Sequence, residues 1–363
     1  MVGARSRLLG FAAAAMMIGV GPAAAQAWFD REACLVEHPR LDPVIYAPDR
    51  IEAITRGGAA ITGATGRFWR VTAPNGAASH IWGTMHSNDP AITRLPETLT
   101  TVLKQATVIA VEQNPLNVTR AELRERTHPD RLYYRSGVTR WPGKIDPRVR
   151  DWIESRYRNR HLHPADIYRL RAPAVFEDLL WDTCNDFGGG ALPLQDDRIL
   201  MTGLDAGARI VGLEDPDQFY SHYSVHYRQS IAGLEIYGAA LQPTAIKAQR
   251  AAQFHLYLTG QIGAMIVDKR TRLDAFFGTE KAESLLTKLN GWLIDERNAK
   301  MLETATPHLQ RGGLVMAIGA FHLPGEKGLL QLLRRAGYRV ERIRTAGEVA
   351  DPLPPTVQRS IGP

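Results

Sequence analysis

Four short apolar runs constrain this chain more than any other feature. They are "TVIAVEQ" (107–113), "ARIVGLED" (208–215), "GLVMAIGA" (313–320) and "YRVERI" (338–343). Each is preceded by helix-compatible sequence, as Leu95–Gln105 precedes the first. Continuous apolar runs separated by helices predict a buried, mixed and largely parallel sheet flanked by helices, so the class is α/β or α+β. Two further β-rich runs, "FWRVTA" (68–73) and "SHIWGTMH" (79–86), are joined by "APNGAA", whose Pro, Asn and Gly suit a hairpin turn.

The ends of these runs carry the chemistry. Those at 79–86, 107–113, 208–215 and 313–320 lead to His86, Glu112, Glu214 and His322, and both histidines close a Gly-x-x-His spacing that starts at Gly83 and Gly319. In open α/β sheets, ligands bind in the crevice outside the carboxyl ends of the strands. If the strands are parallel neighbours, two imidazoles and one or two carboxylates meet on one rim. That set suits a divalent ion: zinc with two His and one Glu keeps a position open for water, and manganese takes more oxygen ligands. The glycines permit a conformation or a close approach that a β-carbon would block. A single His at a strand end is more often a hydrogen-bonded structural residue than a ligand; the duplication is what favours a shared site.

The 363 residues are 44% hydrophobic and 23% charged, the balance of an ordinary globular protein. The first 27 residues differ. Arg5 and Arg7 form a positive stretch, Leu8–Val20 an apolar one, and Ala23-Ala24-Ala25 and Ala25-Gln26-Ala27 are small-residue cleavage patterns. This is the composition of a secretory signal, too short to span a bilayer, and no second apolar span follows. A periplasmic or secreted protein beginning at Gln26 or Trp28 is expected. Its net charge falls from +6 to +4 as the two arginines leave, and an exported protein has no routine access to nucleic acid. Cys34 and Cys184, the only cysteines, are expected to pair in an oxidising compartment, closing a long loop worth about 4–5 kcal/mol in the chain-entropy account; two separate thiols are the other reading.

Residues 28–64 read as a loop-like, extended N-terminal segment on account of Pro39, Pro43, Pro48 and Gly57-Gly58, and 346–363 as a flexible tail. Between them lies a domain over 65–345 with a helical insertion at about 117–205. Within it, 120–160 is dense in arginine and interleaved with Tyr133, Tyr134, Trp141, Trp152 and Tyr157. It is either a wall for an anionic or sugar-like ligand or a solvated helical face whose acids offset the charge. "SLLTKLNGWLIDERNAKMLETATPHLQRGG" (284–313) reads as a helix or helix pair ended by Gly-Gly.

"WGTMHS", "VIAVEQN", "GARIVGLEDPDQ", "LIDERNAKM" and "AIGAFHLPGEKGLLQLLRRAGYRVERI" occur in that order, and together the chain resembles the TraB/GumN family, which includes the Tiki proteins. The last stretch is the most specific. The resemblance runs from about Phe68 to Ile343. It implies an erythromycin-esterase-like/ChaN-like fold and carries the family's recurrent polar positions onto His86, His322, Glu112, Arg297 and Asn298, with Glu214 and Gln218 matching a Leu-Glu-x-x-x-Gln element. Tiki proteins resemble metal-dependent proteases, and the naming of bacterial members points to envelope polysaccharide production. The expectation is therefore an exported, metal-dependent, peptidase-like hydrolase. His86, His322 and Glu112 would hold Mn, Co or Zn, with Glu112 alternatively a general base. Arg297 would stabilise an oxyanion, or else lock a helix to the sheet through Glu214. Asn298 would orient a substrate or ligand, and Glu214 and Gln218 would contact a peptide or small-molecule substrate. The rival readings are a non-catalytic ligand- or haem-binding protein and an accessory factor of the polysaccharide machinery.

Overall fold

The computed structural model describes residues 36, 38–118, 120, 123–124, 128–134, 141–160, 163–181, 193–214, 227–243 and 245–351. Six strands form one sheet: β1 (Phe68–Thr72), β2 (Ala78–Thr84), β3 (Val108–Val111), β4 (Arg209–Gly212), β5 (Leu314–Gly319) and β6 (Arg339–Ile343), in the order β4-β3-β5-β2-β1-β6. The pairs among β4, β3, β5 and β2 are parallel, while β1 is antiparallel to both β2 and β6. The sheet is mixed and largely parallel, as the apolar runs predict. β5 explains the unbroken "LVMAI": it lies in the middle of the sheet, and alternate residues feed two different cores. Met316 and Ile318 pack with Trp69 and Ile81 on one face, and Val315 and Ala317 with Phe68 and Trp82 on the other.

The longer helices are α1 (Pro48–Ala59), α2 (Glu97–Gln105), α3 (Pro147–Asn159), α4 (Ala172–Leu180), α5 (Gln195–Asp205), α6 (Tyr227–Ala239), α7 (Ile246–Leu258), α8 (Ile262–Phe277), α9 (Thr279–Asn290), α10 (Arg297–Arg311) and α11 (Leu329–Arg335). Met301 and Leu309 of α10, with Leu329 and Leu333 of α11, cover one face of the sheet. Leu99 and Leu103 of α2 and Ile199 of α5 cover the other. A separate helical core gathers Val149 and Ile153 (α3), Phe176 (α4), Leu234 (α6) and Leu289 (α9) around Trp141 and Trp292. The expected insertion therefore has other limits. α5 lies inside 117–205 yet packs on the sheet, whereas α6 and α9 lie outside that range and complete the helical core.

Three expectations change. The 28–64 segment contains α1, which starts with Pro48 in its first turn and buries Ile54 and Gly58. Its glycines make a close helix contact: a Cβ on Gly58 would lie 2.3 Å from the Ala264 nitrogen, and one on Gly263 2.3 Å from the Gly58 carbonyl oxygen. The tail is docked as far as Asp351. Glu348 is buried between Arg67 and Arg342, and the Val349 amide donates to the Thr259 carbonyl. The described part of the arginine-rich segment is helical surface and core, with Trp141 and Tyr157 buried and Arg148, Arg150 and Arg160 paired with Asp146, Asp151 and Asp178. The expected helix pair at 284–313 is α9 and α10 joined through a π-helical stretch, Gly291–Glu296, and it ends at Gly312 and Gly313 with φ of 79° and 69°. Residues 1–35, with Cys34, lie outside the described residues, as do Cys184 and Gln218. Among the described residues, no helix is long and apolar enough to cross a membrane.

Candidate active site

Because β4, β3, β5 and β2 are parallel, their carboxyl ends share one rim, and each delivers one of the expected residues there. Glu112 follows β3 directly, Glu214 lies two residues beyond β4, His86 two beyond β2, and His322 closes a single 3-10 turn, Ala320–His322, after β5. β5 is the fifth strand in sequence but sits between β3 and β2, which brings His322 beside Glu112. The two motif glycines share one steric reason. A Cβ on Gly83 would lie 2.7 Å from Leu323 Cδ1 and 3.1 Å from Ala320 Cα, and one on Gly319 would lie 3.1 Å from Glu112 Oε1. The turn after β5 crosses close over its neighbours, so close approach is the requirement.

Arg297, the first residue of α10, organises the centre. Its Nε donates to Glu214 Oε1 at 2.8 Å, and its Nη2 donates to Glu214 Oε2 and to Glu112 Oε2, both at 2.6 Å. Nη1 donates to the Leu293 carbonyl at 3.1 Å and stands 3.4 Å from His322 Nε2. A guanidinium has five N–H groups. These five contacts use all of them, so an oxyanion would have to displace an existing partner. Arg297 thus occupies the helix-to-sheet lock that was the alternative to oxyanion stabilisation, and Glu214, expected at the substrate, is the other half of that lock. The Gly319 amide donates to the second Glu112 oxygen at 2.7 Å.

Asn298 settles the state of His322. Its amide nitrogen donates to the His322 and Lys327 carbonyls at 3.2 and 2.9 Å, so its oxygen must accept from His322 Nδ1 at 2.7 Å. The Nε2 lone pair then faces Arg297 and lies 4.0 Å from Glu112 Oε1. Burial, reinforced by Arg297, pushes the His322 pKa down to about 3, and the ring is neutral. Burial alone would raise Glu112, but Arg297, then His322 and His86, with the Gly319 amide, hold it well below the usual carboxylate range. Glu214 is raised, by burial above all.

His86 is held differently. Its Nδ1 is 2.9 Å from Asp196 Oδ2, and Thr84 Oγ1 donates to Asp196 Oδ1 at 2.8 Å. The Asp196 charge raises the imidazole pKa to about 9, against the opposing effect of burial. Beside it, Gln195 Oε1 accepts from Trp82 Nε1, the Met85 amide and Tyr257 Oη at 3.3, 3.1 and 2.7 Å, fixing the strand end that carries His86. Sequence reasoning missed Gln195 and Asp196. Asp196 and Asp197 open α5, where acids are expected simply to compensate the helix dipole, so no signal marked one of them as a partner for His86. The rim thus gathers Glu112, Glu214, Arg297, Asn298 and His322 in one hydrogen-bonded cluster, with His86 on its own clamp alongside. Among the described residues, no three His, Cys, Asp or Glu groups stand close enough to hold one metal ion.

The two motif segments and the cluster between them fall within one family match. The profile of the TraB/PrgY/gumN family matches residues 67–342, from just before β1 into β6. No curated protein and no solved structure matches the chain. The match spans most of the sequence and every described residue of the cluster, and the chain belongs to the TraB/PrgY/gumN family.

Proposed function

We propose that the protein is an exported, peptidase-like hydrolase whose divalent ion is held by Glu112 and His322. The observation that carries this reading is the donor pair itself. An ionised carboxylate oxygen and an imidazole lone pair lie 4.0 Å apart, and two ligand bonds of about 2.0–2.2 Å would span that gap at a wide ligand–metal–ligand angle. Asn298 supports the fit, since a metal-binding imidazole ordinarily gives its other N–H to an acceptor. Manganese, cobalt and zinc all accept such a pair. Bound there, the ion would lower the pKa of a water and polarise a scissile carbonyl.

The chain's own residues supply the rest. Glu112 is too weak a base, with its pKa so depressed, to take a proton from free water, so its part is to hold charge at the ion. His86 carries a proton at neutral pH and reaches the crevice from a half-exposed position, which suits it to protonate a leaving amine. Asp196 keeps that proton in place and orients the ring. The first 27 residues would direct export to the periplasm or medium, where Cys34 and Cys184 would pair. The haem-binding reading finds no comparable support, because His322 is 4% exposed and a macrocycle needs an open face at its axial imidazole. The polysaccharide-accessory reading loses its proposed surface where Trp141 and Tyr157 are buried in the helical core.

The test is elemental analysis together with cleavage of a peptide mixture followed by mass spectrometry. Glu112→Gln and His322→Ala should lose both bound metal and cleavage, and His86→Ala should keep metal while losing cleavage. Cleavage unaffected by all three substitutions would remove this site from consideration, and metal-free protein with no cleavage would end the hydrolase reading.

A further inference from the structure

We propose that Gln195 and Tyr257 are positioning residues for His86, and that the docked segment 346–351 sets them through Glu348 and Arg67. The proposal rests on the proton-donor role given to His86 above and involves no ion. Gln195 grips the chain on both sides of that residue. Its side-chain oxygen accepts from the Met85 amide at 3.1 Å, and its own backbone amide donates to the Ser87 carbonyl at 3.1 Å. The next residue, Asp196, holds the His86 ring itself at 2.9 Å. Gln195 is fixed in turn, because its Nε2 donates to the Ile92 carbonyl at 2.6 Å. Any movement of the start of α5 therefore carries the His86 backbone and the partner of its ring together.

Tyr257, in the last turn of α7, bears on this clamp from the other side. Its hydroxyl stands 2.7 Å from Gln195 Oε1 and 2.8 Å from the carbonyl of Gly83, three residues before His86. Burial pushes the hydroxyl pKa well above its ordinary value, so the group is always a donor, with one proton for two acceptors. The Arg67 guanidinium sits 4.8 Å from the centre of the Tyr257 ring and 4.9 Å from that of Trp82, whose indole N–H also donates to Gln195 Oε1. Glu348 holds that guanidinium, 2.9 Å from its Nε, and the Val349 amide donates to the carbonyl of Thr259, two residues beyond Tyr257. Gln195, Tyr257, Arg67 and Glu348 are all buried. Apolar side chains in those places would avoid the cost of desolvating polar groups. What the polar ones supply is an unbroken line of contacts from the segment to the clamp, the physical requirement for coupling two distant places.

The test uses the full chain without ligand and reads two signals by nuclear magnetic resonance: hydrogen exchange of the Met85 amide and titration of the His86 ring. Tyr257→Phe removes one hydroxyl and keeps the ring beside Arg67. Glu348→Gln loosens the guanidinium from outside the crevice. Each should speed Met85 exchange several-fold and lower the His86 midpoint from about 9 toward the ordinary 6.5. Glu112 and Arg297 also act on His86, and neither is altered, so the shift reports the Asp196 clamp. Because the two residues act in series, the double variant should shift no further than the larger single variant. Leu309→Ala, in the core on the opposite face of the sheet, controls for general loosening and should leave both signals at their wild-type values. Should Glu348→Gln not fold, Tyr257→Phe decides alone. Unchanged signals in the folded variants, or an equal shift in Leu309→Ala, would overturn the proposal. Cleavage indifferent to His86→Ala, with both signals shifted, would end the donor role and uphold the coupling.

Discussion

Two buried Arg–Glu clusters sit at different places on this sheet with opposite stoichiometry. At the crevice, Glu112 and Glu214 share Arg297. At the β1–β6 edge, Arg67 and Arg342 share Glu348, with Nε of Arg67 at 2.9 Å and Nη2 of Arg342 at 3.0 Å. The edge cluster is buried at its centre: Arg67 donates to Thr345 Oγ1 and lies over the rings of Trp82 and Tyr257, and Arg342 reaches out to the exposed Asp351, a fourth member that balances the charge. Side-chain exposure is 4% for Arg67 and 0% for Glu348, but 17% for Glu112 at the crevice. One cluster is neutral and closed by its own chain, whereas the three members of the other carry an excess negative charge at a rim. The same chemistry serves docking in the first and leaves an unbalanced charge among the three members of the second.

The edge cluster should give the largest effect. Glu348→Ala leaves the buried Arg67 without its carboxylate and Arg342 with Asp351 alone, and breaking a buried pair by removing one partner costs about 3–5 kcal/mol. Urea denaturation of the variant should show a loss of that size, with residues 346–351 becoming protease-sensitive. A loss below about 1 kcal/mol would mean that hydration replaces the pairing and would remove the contrast in sealing.

At the crevice, Glu214→Gln should cost less, about 1–2 kcal/mol, although it also breaks a charged contact with a guanidinium. Removing one of two carboxylates that crowd a single cation relieves their mutual repulsion, which together with burial already raises the Glu214 pKa. Denaturation of Glu214→Gln and Glu348→Gln side by side tests this directly, and equal losses would show that stoichiometry does not matter.

Acid should separate the clusters by a different route. The folded-state pKa of Glu112 is depressed, so its contribution to stability is present above its unfolded value near 4.5 and is lost as pH falls below it. Wild-type protein should lose stability through that range more steeply than Glu112→Gln. Parallel curves would show that Arg297 does not hold Glu112 ionised.

How much of this was legible depended on how local each cause is. β5 could be read because a strand buried on both faces must be apolar throughout, and the paired Gly-x-x-His segments because close approach demands glycine at Gly83 and Gly319. The position of β5 between β3 and β2 could not, since strand order is set by packing among distant segments. Gly57-Gly58 resembled a loop because the helix backbone that needs Gly58, at Gly263 and Ala264, lies some two hundred residues further on. Glu348 sits in a polar, proline-flanked stretch with the composition of a tail; it is buried by pairing with Arg342 and with Arg67, which comes from the other end of the domain. Asp196 was hidden by an adequate local explanation, its place in the first turn of α5.

The smallest effect belongs to that residue. The His86 and Asp196 side chains are 42% and 23% exposed, so their ion pair is screened by solvent and falls in the range of about 0–1 kcal/mol usual for surface pairs. Its sign with pH is nonetheless definite. Asp196 raises the His86 pKa to about 9, so the contribution is fully present below the ordinary histidine value of 6.5 and is lost as pH rises through about 9. Asp196→Asn should therefore melt slightly below wild type at pH 6 and converge with it by pH 10. A difference that persists at pH 10 would assign Asp196's contribution to its uncharged hydrogen bond with Thr84. His86 would then lose the charge that suits it to donate a proton, and the crevice would be left with Glu112 and His322 as its chemistry.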